Sequence, residues 1–248
     1  MPIFNVLLIA GTLLAVFAQE QENSCVTCHK AGEGTSYFEH NFADWEKSVH
    51  AKAGVSCQVC HGGQELEKEK QAAHKGMLPS TNKNSGVYFT KIPKTCGQCH
   101  ASEFASFKKS KHYRELENSG RGPNCVTCHG SMANHILSPR ELEMPCTLCH
   151  RRPTQAYAAL MALNHPTLSL SRLEKSLDLA RQQNIRTIEQ GKGYQKAVEL
   201  HARIMDYWHT FNMKEVLRLA QEITRQVTNS LLELQLKGLI QDASQPKA

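Results

Sequence analysis

Ten cysteines and five of the thirteen histidines in this chain fall into one repeated pattern. The cysteines pair as Cys25/Cys28, Cys57/Cys60, Cys96/Cys99, Cys125/Cys128 and Cys146/Cys149, and a histidine follows each pair at once: His29, His61, His100, His129 and His150. Five such histidines would arise by chance with a probability on the order of 10⁻⁷, so the repeated unit is CxxCH. Two thiols three residues apart can form thioethers with the two vinyl groups of one porphyrin, and the adjacent histidine then reaches the iron from below. Zinc sites and disulfide frameworks also use cysteine pairs, but neither gives a reason for a histidine after every second cysteine. The cofactor expected is haem c, five per chain and covalently attached, with no cysteine left over.

Eight histidines remain: His40, His50, His74, His112, His135, His165, His201 and His209. Five six-coordinate irons need five second ligands, so supply exceeds demand. The chain repeats itself: Phe42-x-x-Trp45-x-x-Ser48-x-His50 matches Phe104-x-x-Phe107-x-x-Ser110-x-His112, and Cys-His-Gly recurs at 60–62 and 128–130. Residues 25–75 and 96–136 therefore read as two versions of one dihaem unit, with the fifth motif appended. Equivalent points of the repeat mark His50 and His112 as distal ligands, and His74 and His135 follow the second motif of each unit. The stretch CVTCHGSMANH then binds one haem through Cys125, Cys128 and His129, while His135, on its short tether, serves a neighbouring one. His165, His209 and His40 compete for the fifth place, of which His165 is preferred. His201 is expected on a solvated helix face. Met77, Met132, Met144 and Met161 are further possible ligands.

The elements that must position these groups divide the chain near residue 152. Residues 23–152 hold all five motifs in sequence rich in turn residues, such as KGMLPSTNKNSG and SGRGPN, and cannot build an ordinary apolar core. Porphyrins can serve as that core. Residues 153–248 carry no motif and read as helical, with helices expected at roughly 168–189, 194–210 and 213–238. Ser171-x-x-Glu174 has the capping-box form, Gly191-Lys-Gly193 looks like a break, and Asn212 looks like a cap. The expected fold class is mainly α with many loops: a multihaem core followed by a bundle or hairpin of about three helices.

Residues 3–18 form an uncharged apolar run, too short for a membrane span, ending in small residues suited to signal-peptide cleavage. Residues 1–18 are expected to be a signal peptide, leaving no membrane span after cleavage. Attachment of haem c also implies export, to the periplasm or the cell exterior. The formal charge of +6 omits the two propionates on each haem, and the basic residues form no run with interleaved aromatics. No nucleic-acid partner is expected.

SVHAKAGVSCQVCHGG and SKHYRELENSGRGPNCVTCHG resemble the Ser-x-His…CxxCH-Gly units of one multihaem cytochrome c superfamily. It contains hydroxylamine oxidoreductase, pentahaem nitrite reductase and the tetrahaem electron-acceptor cytochromes of ammonia oxidisers. The resemblance covers residues 25–150. CxxCK, the catalytic motif of the nitrite reductases, is missing, and the motif count differs from the acceptor cytochromes and from hydroxylamine oxidoreductase. The resemblance thus implies an electron carrier serving redox partner proteins, with bis-histidine haems closed to substrate. The alternatives are an oxidoreductase acting on a small nitrogen or sulfur compound at one five-coordinate haem, or a haem-stacking subunit of a filament or other oligomer. The resemblance also implies an exchange of ligands between units, with His50 on the haem of His100 and His112 on the haem of His29.

Overall fold

A computed structural model describes residues 23–31, 42–135 and 139–236. The expected signal peptide at residues 1–18 and His40 lie outside them. The fold is mainly α with many loops, and every regular element among the described residues is a helix. The first ten are short: α1 (Ser24–Ala31), α2 (Phe42–Lys47), α3 (Val49–Lys52), α4 (Cys57–His61), α5 (Lys70–Ala73), α6 (Ile92–Cys96), α7 (Ala101–Phe107), α8 (Lys111–Ser119), α9 (Cys125–His129) and α10 (Pro139–Thr147). Three long ones follow: α11 (Thr154–Gln182), α12 (Ile188–His209) and α13 (Met213–Leu236).

The apolar core belongs almost entirely to the long helices. Leu173, Ile204, Ile223 and Leu234 are completely buried together, and α13 lies against both α11 and α12. Its buried positions Val216, Leu219, Ala220, Ile223, Val227 and Leu234 recur every three or four residues, as a helix facing two partners requires. In the described part of 23–152, by contrast, the buried apolar side chains are Phe42, Pro93, Phe107 and Leu116. Segments this poor in apolar core hold a defined fold only around something else, which is what a set of porphyrins would supply.

Helix boundaries in the bundle differ from the sequence expectation for three local reasons. α11 starts at Thr154 and runs through Pro166, so Ser171 is an interior residue and not a cap; the proline ring is itself buried in the helix contact. α11 stops at Gln182 because Asn184 turns left-handed (φ 57°) and Ile185 N–H donates back to the Ala180 carbonyl at 2.9 Å. That is a Schellman closure, and it moves Ile188 into the next helix. Gly191 and Gly193 do not break α12: a Cβ on Gly193 would sit 3.0 Å from Ser230 Oγ, so this glycine permits close approach of α12 to α13.

Candidate haem sites

Each motif sits on a helical turn, so its two thiols, three residues apart, lie on one side of that turn. Side-chain caps start the first and fourth of these turns. Asn23 Oδ1 accepts from Cys25 N–H at 3.0 Å, and Asn124 Oδ1 accepts from Thr127 N–H at 3.1 Å in a reciprocal capping box. Gly62 (φ 75°) and Gly130 (φ 81°) end α4 and α9 immediately after the histidine, which is the backbone reason for the recurring Cys-His-Gly.

The ten cysteines form no disulfide, and the structure does not treat them alike as the sequence pattern does. Cys28, Cys60, Cys99 and Cys149, each the second of its pair, are exposed, whereas the first cysteine of every pair and Cys128 are half-buried. Cys28 and Cys149 belong to the two ends of the motif series, Cys28 within α1 and Cys149 just past α10. Neighbouring motifs do approach one another in chain order. Burial raises the Cys25 thiol, with Cys57 contributing next, and raises Cys60, with Cys96 next. The proximity of Cys96 and Cys125 pulls Cys96 down and pushes Cys125 up. Burial pushes Cys128 up to about 11, with Cys146 adding to it.

The Ser-x-His repeat has a structural explanation as well. Ser48 and Ser110 are buried, and each caps the helix that carries its histidine: Ser48 Oγ accepts from Ala51 N–H and Ser110 Oγ from Tyr113 N–H, both at 3.0 Å. The cap fixes the first turn, and the histidine at its second position is thereby aimed.

Four motif histidines face a second imidazole. Ring centres lie 6.2 Å apart for His29 and His74, 6.1 Å for His50 and His100, 5.8 Å for His112 and His150, and 6.5 Å for His129 and His209. An iron held between two imidazole nitrogens sets ring centres about 6 Å apart, from about 2 Å per metal–nitrogen bond and about 1 Å from nitrogen to ring centre. Nε2 of His112 stands 3.5 Å from Nε2 of His150.

The tautomers suit ligation too. His50 Nδ1 donates to Asn134 Oδ1 (2.9 Å), His74 Nδ1 to Lys70 O (2.7 Å), His129 Nδ1 to His135 O (3.0 Å) and His209 Nδ1 to Met205 O (2.8 Å). A carbonyl oxygen accepts only from a protonated Nδ1, so the Nε2 lone pair of these rings is left for a metal. Burial lowers His112 and His209 from the ordinary histidine value, the direction that favours the neutral form a ligand needs. Beside the second motif, Cys57, Cys60 and His61 line a cleft whose other wall includes Ser131, Met132 and Asn134. Among the described residues no three His, Cys, Asp or Glu side chains converge as a zinc site would require. The residues present fit haem c.

Other expected ligands lie elsewhere. His112 faces His150 and not His29, which is faced by His74, so the exchange holds in its geometry only for His50 and His100. The chain-order packing accompanies this: α10 of the fifth motif lies against α9 of the fourth, and His150 meets His112 of α8. Among the described residues the structure sets the ring of neither His135 nor His165 against that of a motif histidine, and His135 meets His129 through its backbone alone. His135 Nε2 lies 3.3 Å from a Glu141 carboxylate oxygen and its Nδ1 donates to Ala133 O at 2.8 Å, so both nitrogens are engaged. His165 lies on α11, with Nδ1 3.4 Å from Ser169 Oγ. Asn134, which the sequence reading missed, contacts the His50 ring. Its side chain accepts from His50 and donates to Gly130 O, tying the first unit to the loop after the fourth motif. Nothing in HGSMANH distinguishes it from a turn asparagine.

Helical turns bearing CxxCH, facing imidazoles and a motif region nearly without apolar core define a multihaem c-type cytochrome with covalently bound haem. Comparison agrees. Residues 12–62 match the family described as "Cytochrome c554 and c-prime". Over 138 residues the chain is 27% identical to the C-type polyheme cytochrome OmcC of Geobacter sulfurreducens, covering 56% of this chain and 15% of that protein. Over 140 residues it is 24% identical to the multiheme cytochrome MtrA of Shewanella baltica, covering 56% of this chain and 35% of that protein. The chain thus spans a minor part of the length of these relatives. No solved structure matches it.

Proposed function

We propose that this chain is an exported electron carrier that holds five haem c groups and passes electrons between redox partner proteins. The observation that carries the reading is the pairing of motif histidines with second imidazoles, as at His50 and His100. When bound, haem iron alternates between ferric and ferrous states and so takes up or gives up one electron. Cys25/Cys28, Cys57/Cys60, Cys96/Cys99, Cys125/Cys128 and Cys146/Cys149 would anchor the groups, with His29, His61, His100, His129 and His150 beneath the irons. His74, His50 and His112 would close the opposite faces at the first, third and fifth. Closed faces exclude substrate, which favours a carrier over an enzyme. The succession of thiols from Cys25 to Cys146 supports a file of adjacent haems in chain order.

Export is supported by the apolar run at residues 3–18 and by the thioether chemistry itself. Among the described residues no helix is long and apolar enough to cross a membrane. The relatives are named as polyhaem and multihaem cytochromes, in agreement with this class. The test is intact mass of the exported protein with a carbon monoxide titration of its reduced form. Five covalent haem additions on a chain starting near Gln19, with little carbon monoxide uptake, are expected. A colourless protein, or uptake by several haems, would overturn the proposal.

A further inference from the structure

The C-terminal helices carry no haem motif, yet their α12 ends against the motif region. His209 is its last residue, and its ring lies 6.5 Å from that of His129 with an interplanar angle of 25°. His209 Nδ1 donates to the carbonyl of Met205, one turn back in its own helix, and His129 Nδ1 donates to the carbonyl of His135. Both rings therefore have Nε2 as their metal-binding nitrogen.

Contacts on either side of His209 hold it there. One turn earlier, Asp206 Oδ1 accepts from Ser106 Oγ of α7 at 3.2 Å, and α7 packs along α12. Two residues later, Phe211 adopts a left-handed backbone (φ 59°) in a second Schellman closure, with Asn212 N–H donating to Tyr207 O at 3.0 Å. A bulky side chain seldom takes that conformation, and it persists only where the surroundings impose it. Here it sets the Phe211 ring 4.1 Å edge-on to His112 and 6.3 Å from Phe107. One helix end thus meets the imidazoles of two successive haem sites, touching His129 through His209 and His112 through Phe211.

We propose that His209 is the second axial ligand of the haem anchored by Cys125 and Cys128, so that the C-terminal bundle completes the haem core. The inference rests on the reading of the CxxCH motifs as haem sites. The bundle then has a role of its own, since the chain beyond residue 153 closes the fourth iron and steadies the ligand of the fifth.

The experiment is His209→Ala in the full exported protein, with wild type and His201→Ala as references. His201 lies on the same helix, with its Nε2 3.1 Å from Thr167 Oγ1. In His209→Ala, the covalent haem content should match wild type. One haem per chain should turn high-spin and bind one added carbon monoxide when reduced, and free imidazole should restore the low-spin spectrum. A merely structural role would not be rescued by imidazole. Wild-type spin state and carbon monoxide uptake in His209→Ala would overturn the assignment. If that variant does not accumulate, His209→Met decides. A rise in the potential of one haem, with the haem staying low-spin, supports the assignment, and unchanged potentials overturn it. A wild-type protein without covalent haem would instead overturn the underlying haem reading.

Discussion

The imidazoles of His50 and His100 face each other with ring centres 6.1 Å apart, although they come from different copies of the internal repeat. His50 is aimed by Ser48, which caps α3, and by Asn134, which accepts from its Nδ1. A single iron between the two rings would fasten the first unit to the second through two metal–nitrogen bonds.

His50→Ala should therefore open the haem held by Cys96 and Cys99. The expected signs are new high-spin absorption and uptake of one carbon monoxide per reduced chain. His50 also borders the cleft that holds Cys57, Cys60 and His61, so the open haem must be identified. If it proves to be the one on Cys57 and Cys60, the pairing with His100 is wrong.

Asn134→Leu tests the orienting bond by itself. Without the acceptor at His50 Nδ1 the imidazole donates less electron density, and the ferric state loses stabilisation. The potential of one haem should rise, by about 60 mV for each tenfold change in preference between oxidation states, while the haem stays low-spin. A spectroelectrochemical titration that superimposes on wild type would refute this role.

Ser110→Ala removes the cap of the helix that aims His112. Loss of an N-cap costs about 1 kcal/mol, and the buried site of Ser110 leaves little room for water to replace the hydroxyl. Denaturant unfolding followed by far-UV circular dichroism should show a loss of that size, and Ser48→Ala should behave alike. If neither variant is destabilised, the repeat serine is not there for capping.

Gly193→Val should destabilise the bundle by about 1–3 kcal/mol, because the added carbons meet Ser230 Oγ at the α12–α13 contact. In a Ser230→Ala background the obstruction is gone. Gly193→Ala should there raise stability by about 1 kcal/mol through helix propensity. Equal effects of the alanine substitution in both backgrounds would show that the contact does not restrict this position.

Acid should weaken the bundle through His201, whose burial lowers its affinity for a proton below the ordinary value of 6.5. As pH falls through that value the unfolded chain takes up a proton that the folded chain refuses, so stability drops; above it the effect is absent. His201→Gln should flatten the dependence of unfolding midpoint on pH below about 6.5. An unchanged slope would assign the acid sensitivity to other groups.

The haem sites were legible because their chemistry is local. A cysteine pair and the histidine that follows it occupy one helical turn, so CxxCH points to covalently bound haem c without reference to any other part of the chain. The helical character of residues 153–236 was equally legible, since Leu173, Leu177, Ile204, Ile223 and Val227 repeat at helical spacing and are buried. Its boundaries were not, because the left-handed turn at Asn184 and the tolerance of Pro166 and Gly193 depend on what packs against them. Nor was the difference between exposed thiols such as Cys28 and Cys149 and the half-buried Cys128, because packing sets exposure and the motif is the same in each case.

The second ligands lie at the other extreme. The internal repeat marked His50, His74, His112 and His135 in the sequence, and His165 was preferred over His209 for the place that remained. Only the tertiary structure separates them. It turns His135 toward Glu141, leaves His165 on α11 beside Ser169, and carries His209 to His129 by docking α12 on α7. The physical reason is that an iron's second face is reached from across the fold, so the ligand there is chosen by helix packing, caps and hydrogen bonds between segments remote in the chain.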